Sequence, residues 1–508
     1  MALFGRDKIC GVVAASTARG ALRQLEVALR RTRTVELRLD WLPNDAEISK
    51  FLGILGIRQL AKGATFIATC RRRAARGRYA GTIGKQLLHL SNAIRAGCAW
   101  YDLEIESAAE CPSELLDALL GEGRHLASAH FFRSLPGNLN RVVRELSRHQ
   151  PDAIKIASQS DTLAEARALL RTARNRRNVV AVPMGEVALP ARILALRDNS
   201  ALAYAPVENA TAPGQVPLAD LVEVYRAPQI SSRTRVYGLI GNPVAHSLSP
   251  HLHNAGFRAR RIDAVYLPFL VRNLRDFLAA IGPMKIAGFS ITIPHKQAIL
   301  RHLDGCDPLA RAIGAVNTVV VRANGKLYGY NTDYVGVLRT LEHRMPLANS
   351  RVLILGAGGA ARAVAFALAQ SGASVCITAR RPHKAEELAG AAHGQAVPRS
   401  RLRREFFDAI VNTTPVGMHP HTNESPLTTR ELNCRLLFDT IYHPRVTRLM
   451  QLARRRGIET VSGIEMFVAQ GTAQWEIWTG ERAPMVAMRA AVEDALARES
   501  QGKTAAQK

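Results

Sequence analysis

No stretch of this chain approaches the roughly 20 uninterrupted apolar residues that a membrane-crossing helix needs. Its seven cysteines are odd in number, scattered, and form no Cys-x-x-Cys pair. These absences argue against a membrane-spanning protein, a disulfide frame and a zinc site of paired thiols, and no metal is expected. The start, residues 1–8, runs straight into the strand-like Ile9-Cys10-Gly11-Val12-Val13, so neither export nor organelle import is expected and the expected location is cytoplasmic.

Acidic residues are outnumbered, 42 against 68 Lys plus Arg, for a formal net charge of +26. Such an excess suits a nucleic-acid partner. Here it is nearly all arginine, dispersed in short clusters such as Arg71-Arg72-Arg73, with no recognisable nucleic-acid fold around them. A basic, solvated surface that attracts anionic metabolites is expected, without specific nucleic acid or membrane. Lysine is scarce, so a lysine in an apolar strand requires explanation. Lys155 and Lys296 are the two that stand out.

At 508 residues, 47% of them hydrophobic, the chain has material for two to four cores. Strand-like runs at 9–15, 34–40, 64–71, 100–106, 125–132, 153–158, 179–184 and 201–207 alternate with helical stretches, the pattern of an α/β fold beginning with a (β/α)8 barrel. Successive side chains of a strand point to opposite sheet faces. Glu36, Arg38 and Asp40 therefore share a face, as do Asp102, Glu104 and Glu106; Ser128 pairs with His130 in the same way, and Lys155 stands against Ile154 and Ile156. Barrel interiors are ordinarily apolar, so charges turned inward on several strands mark a polar site rather than isolated ion pairs. A desolvated lysine crowded by arginines would have its amine pKa lowered, leaving a nucleophile for a ketone. A class I aldolase is one reading of such a barrel lysine.

Residues 8 to about 226 resemble the type I 3-dehydroquinate dehydratases. The matching pieces include Glu36-Leu37-Arg38-Leu39-Asp40, Thr69-Cys70-Arg71, Ser128-Ala129-His130, Ile154-Lys155-Ile156 and Thr211-Ala212-Pro213-Gly214-Gln215. The resemblance implies that Lys155 forms a Schiff base, that His130 is the general acid and base, and that Glu104 orients His130. It implies Glu36, Arg38, Arg71, Arg192, Thr211 and Gln215 as substrate-binding residues. Ala191 stands where serine commonly precedes the arginine, and Thr211 where serine is usual.

Residues 227–235 are polar and read as a linker. Beyond them, Val236–Gly241 is strand-like and leads to Asn242-Pro243-Val244-Ala245-His246-Ser247-Leu248-Ser249-Pro250. Ser247 and Ser249 can present hydroxyls to a polyol acid or cap a helix. Lys296 follows an apolar strand, ahead of Asn317 and Asp333, a pair able to pass a proton to a carbonyl oxygen. Gly356-Ala357-Gly358-Gly359-Ala360-Ala361 lies between a strand and a helix, as a dinucleotide fingerprint requires. After the next strand stand Arg380 and Arg381 with no acidic residue, which favours a ribose 2′-phosphate and hence NADP(H).

Residues 236–497 resemble shikimate dehydrogenase. The resemblance implies Lys296 and Asp333 as the catalytic pair, and Ser247, Ser249, Thr292, Asn317, Tyr442 and Gln470 as substrate-binding. Gly356, Gly358, Gly359, Ala360, Ala361, Arg380, Arg381, Thr413 and Gly463 are implied for the cofactor. The expected organisation is a barrel over 1–226, a linker over 227–235, a substrate domain over 236–340 and a Rossmann domain over 341–465. Returning helices at 466–497 and a disordered tail at 498–508 complete it. The first half implies a product, 3-dehydroshikimate, that is the second half's implied substrate. The small-molecule partners expected are therefore 3-dehydroquinate, 3-dehydroshikimate and shikimate. The competing expectation is that only the dehydrogenase half is active, on shikimate or quinate.

Overall fold

The computed structural model describes residues 3–5, 7–58, 63–148, 150–208 and 214–506. The chain divides into two compact units, Met1–Arg235 with Asp263–Pro283, and Val236–Ile262 with Met284–Lys508.

The first unit is built on eight parallel strands: β1 (Ile9–Val13), β2 (Thr34–Arg38), β3 (Thr65–Thr69), β4 (Trp100–Glu104), β5 (Arg124–Phe131), β6 (Ala153–Gln159), β7 (Val179–Met184) and β8 (Ala203–Pro206). Their order, β7-β6-β5-β4-β3-β2-β1-β8, makes a nearly closed barrel, and the Ala201 N–H donates to the Val179 carbonyl at 2.9 Å across the remaining seam. Each strand matches a run expected from sequence, β5 starting one residue early at Arg124 and β6 ending one residue late at Gln159. The main difference is at β4, which ends at Glu104 because Ile105–Ala108 turns helical.

The alternation of side chains separates two cores. Cys10, Ile67, Trp100, Leu126, Ala153 and Val180 plug the bottom of the barrel together with Phe4, whose ring stacks on Trp100 at 4.2 Å. The opposite strand faces, among them Ala127, Ala129, Ile154, Ile156, Val179 and Ala181, pack under helices Leu139–Ser147 and Leu163–Arg171. Moving two residues toward the C-terminal end of β4, β5 and β6 replaces Trp100, Leu126 and Ala153 by Asp102, Ser128 and Lys155. The apolar plug thus forms the floor of a polar layer.

In the second unit, strands Arg235–Gly241, Ile286–Ile291, Thr318–Val321, Leu327–Tyr330 and Gly305–Cys306 are adjacent in that order. A second sheet, wholly parallel, runs Gln395–Ala396, Ser374–Thr378, Arg351–Leu355, Phe407–Asn412, Cys434–Asp439, Glu459–Ser462. Its order reverses between Arg351–Leu355 and Phe407–Asn412, the switch point where doubly wound sheets bind ligands. Helix Gly463–Thr479 and helix Met485–Ala506 follow; Trp475 and Met488 lie against Gly256, where an added Cβ would come within 2.7 Å and 3.1 Å of them. The last helix runs through Ser500, correcting the disordered tail expected from position 498. Residues 499–506 contain no proline, and a single glycine is too small a penalty to stop a helix already started.

Two candidate active sites

Lys155 projects from the middle of β6 into the barrel with its side chain 5% exposed. Its Nζ lies 3.1 Å from Glu36 Oε1, contacts an Asp102 carboxylate oxygen, and sits 4.8 Å from the centre of the Tyr204 ring. Asp102 accepts from Ser128 Oγ at 2.6 Å and Glu36 from Thr69 Oγ1 at 3.0 Å. Burial by itself would lower the amine's pKa, but Asp102 and then Glu36 outweigh it and hold Lys155 above its ordinary value. The lowered amine expected from sequence is therefore corrected. That expectation rested on burial and arginines, and the two carboxylates at the same level of the barrel reverse its sign. Asp102 is correspondingly held below the ordinary carboxylate range, since Lys155 and Arg71 overcome its burial.

At the C-terminal ends of the strands, Arg71 Nη2 donates to His130 Nε2 at 2.6 Å, so this imidazole nitrogen carries no proton. Burial and the neighbouring Arg71, Lys155 and Arg38 push the His130 pKa well below its usual value. The residue against His130 is thus Arg71, whereas the sequence reading assigned that place to Glu104. One Glu104 oxygen, Oε1, instead accepts from the Arg72 N–H, Gln86 Nε2 and Ser107 Oγ at 3.0 to 3.1 Å. Its other oxygen is buried without a hydrogen-bond partner among the described residues, and burial raises its pKa. Arg38 makes a two-pronged pair with Asp40 at 2.9 and 2.8 Å rather than pairing with Glu36.

Arg192 is buried in helix Leu189–Ile193, and burial lowers its pKa to about 10. Both Arg192 Nη1 and Arg71 Nε are buried without hydrogen-bond partners among the described residues, a costly state for guanidinium groups unless an anion completes them. Gln215 follows Gly214, whose φ of +72° and closeness to the Gly185 carbonyl, 2.3 Å from an added Cβ, bring that loop against the end of β7. Thr211 lies outside the described residues. Sequence reasoning did not single out Asp102 as a site residue; its shared strand face with Glu104 was the available signal.

In the second unit, Lys296 Nζ donates to Asp333 Oδ2 at 2.6 Å. Asp333 opens helix Asp333–Glu342, and its other oxygen accepts from Asn317 Nδ2 at 2.8 Å. Asn317 is fixed in turn: its Oδ1 accepts from the Thr332 N–H and from Thr318 Oγ1, both at 2.7 Å. The Asp333 N–H donates to Asn331 Oδ1 at 3.0 Å. These buried bonds hold one rotamer of the carboxylate and hence the position of the ammonium.

Ser247 Oγ accepts from the Ser249 N–H at 3.2 Å and donates to Ser249 Oγ at 3.1 Å, where helix Ser249–Ala259 begins. Thr292 is anchored by its N–H to the Ile240 carbonyl at 2.9 Å, and its methyl would be 2.3 Å from a Cβ added to Gly241. Tyr442 packs on Phe467 with ring centres 4.6 Å apart. Gln470 Nε2 donates to the Phe467 carbonyl at 2.9 Å.

The glycine turn ends strand Arg351–Leu355 and starts the 12-residue helix Gly359–Gln370. Gly356 has φ +110°, and a Cβ there would approach Thr413 Oγ1 to 2.8 Å. Only glycine meets both conditions without strain. No atom lies within 4 Å of a Cβ added to Gly358, and one on Gly359 would stand 3.7 Å from Lys296 Cδ. The free N–H groups of a helix start therefore open beside the candidate lysine, where a phosphate is well received. Ala360 and Ala361 continue the helix, and Arg380 and Arg381 are exposed after strand Ser374–Thr378. Gly463 is packed on the Thr440 carbonyl, 2.2 Å from an added Cβ. These features fit a dinucleotide phosphate. All seven cysteines are free, and no described helix is long and apolar enough to cross a membrane.

Comparison with known proteins agrees with this division. The family described as Type I 3-dehydroquinase matches residues 9–232, and Shikimate dehydrogenase substrate binding domain matches 239–319. Shikimate / quinate 5-dehydrogenase matches 339–439, and Shikimate 5'-dehydrogenase C-terminal domain matches 463–493. A chloroplastic bifunctional 3-dehydroquinate dehydratase/shikimate dehydrogenase of Arabidopsis thaliana is 36% identical over 474 residues, covering 89% of this chain and 78% of that one. An NADP(+) shikimate dehydrogenase of Moorella thermoacetica is 42% identical over 293 residues, 54% of this chain and 99% of its own. A solved shikimate dehydrogenase in complex with NADP+ is similar at 36% identity with a TM-score of 0.50, over 53% of this chain and 97% of that one. With one relative aligned across both units, and each unit matched by the family its lysine centre suggests, the chain belongs to the bifunctional 3-dehydroquinate dehydratase/shikimate dehydrogenase family.

Proposed function

We propose that the chain dehydrates 3-dehydroquinate to 3-dehydroshikimate at Lys155 and reduces that product to shikimate at Lys296 and Asp333 with NADPH. The observation that carries this reading is the pair of lysine–carboxylate centres, Lys155 with Asp102 and Glu36, and Lys296 with Asp333.

In the barrel, Lys155 rests as an ammonium, so attack on the substrate ketone begins with loss of a proton. Asp102 and Glu36, which touch Nζ, are placed to take it. The neutral amine adds to the ketone carbon, and loss of water leaves a protonated imine joined to Nζ. That cation acidifies the neighbouring C–H, and neutral His130, with an unprotonated Nε2, removes the proton. The electron pair expels the hydroxyl on the next carbon, protonated by the same imidazole as it leaves as water. Hydrolysis of the imine restores Lys155. The incompletely bonded guanidiniums of Arg71 and Arg192 suit the substrate carboxylate.

In the second unit, Gly356, Gly358, Gly359, Ala360, Ala361, Thr413 and Gly463 would hold the dinucleotide, with Arg380 and Arg381 toward a 2′-phosphate. NADPH supplies the hydride when bound. Lys296, oriented by Asp333, delivers a proton to the carbonyl oxygen, and Asn317 holds the Asp333 carboxylate in place. Ser247, Ser249, Thr292, Tyr442 and Gln470 would hold substrate hydroxyls and carboxylate.

Borohydride added during turnover of 3-dehydroquinate should reduce the imine to a stable secondary amine, located on Lys155 by peptide mass spectrometry. An adduct elsewhere, or none in an enzyme that still turns over, overturns the assignment.

A further inference from the structure

Tyr204 stands on β8 in register with Cys10 of β1, at the level where the apolar floor of the barrel gives way to charge. It packs against the floor cluster that includes Cys10, Trp100 and Leu126. Lys155 Nζ lies over its ring, 4.8 Å from the centre, close enough for the ammonium to be attracted to the π-face. Floor residues and lysine together leave the ring little freedom to turn. The direction of its hydroxyl is therefore set by packing.

That hydroxyl is buried and has no hydrogen-bond partner among the described residues. The carboxylates near it are engaged with other groups: Asp102 accepts from Ser128 Oγ, Glu36 from Thr69 Oγ1, and both meet Nζ. A buried hydroxyl left unpaired is destabilising, so a phenyl ring would fill the same space at lower cost. Burial, then Cys10, Glu36 and Asp102, push the Tyr204 pKa well above the ordinary phenol value, with Arg71 opposing them. The phenol thus stays neutral and able to donate. Asp102, Glu36 and Arg71 are also the charges that act on Lys155, which puts the hydroxyl in the chamber where the lysine works.

We propose that Tyr204 is a specificity residue of the dehydratase centre, its hydroxyl donating a hydrogen bond to a hydroxyl oxygen of the cyclic keto acid, on a carbon close to the ketone that Lys155 attacks. The assignment rests on the dehydratase reading above. In the free chain Nζ is drawn onto Asp102 and Glu36 and covers the ring. When the amine leaves those carboxylates for the ketone, the space beside the phenol opens to the substrate. The bond is made to bound substrate and to the imine alike, so it strengthens binding without lowering the barrier between them. A ketone without that hydroxyl leaves the phenol unpaired and is disfavoured.

The test compares the full chain with its Tyr204→Phe variant, which keeps the ring against Nζ and loses the hydroxyl alone. In enone formation from 3-dehydroquinate, KM should rise about tenfold while kcat stays within about twofold of wild type. An unchanged KM, or a loss confined to kcat, overturns the proposal. Scanning calorimetry of the free proteins supplies the second readout: the barrel transition of Tyr204→Phe should be unchanged or raised, because an unpaired hydroxyl has been removed. A clear fall, or a variant that does not fold, would mean that the hydroxyl is already bonded in the free chain, and overturns the proposal as well. A wild-type chain that forms neither enone nor a borohydride adduct refutes the dehydratase reading and this assignment with it. Turnover by wild type with Tyr204→Phe unaltered refutes Tyr204 alone.

Discussion

Replacing Asp102 by Asn tests the electrostatics of the barrel centre, because it removes a charge while keeping most of the volume. Asp102 is fully buried between Lys155 and Ser128, and Lys155 would retain only Glu36, at 3.1 Å. Removing one partner of a buried ion pair costs about 3–5 kcal/mol. The remaining carboxylate puts this case near the lower end, about 3 kcal/mol. For a domain of this size each kcal/mol moves Tm by about 2–4 °C, so the barrel transition should fall by about 6–12 °C. The sign follows from the raised Lys155 pKa. Stability from a raised amine is complete below its unfolded value and is lost as pH rises through the folded value. The wild-type advantage over Asp102→Asn is therefore present at neutral pH and disappears in strong alkali. Loss of a proton acceptor beside Nζ should also slow dehydration by about 100-fold or more, with NADPH-dependent reduction on the same chain unchanged. Scanning calorimetry and the rise of enone absorbance from 3-dehydroquinate give both readouts. An unchanged barrel transition together with undiminished dehydration would refute the account of Lys155.

Asp333→Asn should lower kcat for reduction by about 100-fold or more with dehydration intact, measured by NADPH consumption with 3-dehydroshikimate. Replacing both Arg380 and Arg381 by Ala should raise KM for NADPH and leave that for NADH nearly unchanged; a parallel rise in both would place the arginines away from the 2′-phosphate. Burial raises the Asp439 pKa from 3.8 to about 6, against the hydrogen bonds from Thr447, Ile441 and Asn412. The folded state then holds its proton more tightly, so stability declines as pH rises from about 4 to about 6 and levels off above, by about 3 kcal/mol. Thermal unfolding of wild type and Asp439→Asn across that range checks the slope, which the variant should lose.

Much of the fold was legible because strand alternation is a period-two pattern that survives without tertiary information. All eight barrel strands coincide with the expected runs, with overruns of one residue at β5 and β6, and the inward set of Glu36, Arg38, Glu104, His130 and Lys155 follows from it. What alternation cannot convey is the height of a residue in the barrel or its neighbour around the ring. Lys155 is level with Asp102 and Glu36, while His130 meets Arg71, and neither pairing follows from spacing along one strand. The sign of the Lys155 shift depended on that missing information. Strand β4 also looked longer than it is, because Glu106 continues the alternation into a turn of helix. The Lys296 centre was more legible: Asn317 and Asp333 flank strands Thr318–Val321 and Leu327–Tyr330, which form an antiparallel pair. The Asn317 bonds to Thr332 and Thr318 depended on that register and were not foreseen.

The most direct test of two reactions on one chain is a two-stage absorbance assay with purified protein. With 3-dehydroquinate alone, the conjugated enone of 3-dehydroshikimate should accumulate; NADPH added next should be consumed as the enone disappears. Failure of the enone to form, with added 3-dehydroshikimate still consuming NADPH, would contradict the assignment of dehydration to Lys155 and leave only the dehydrogenase.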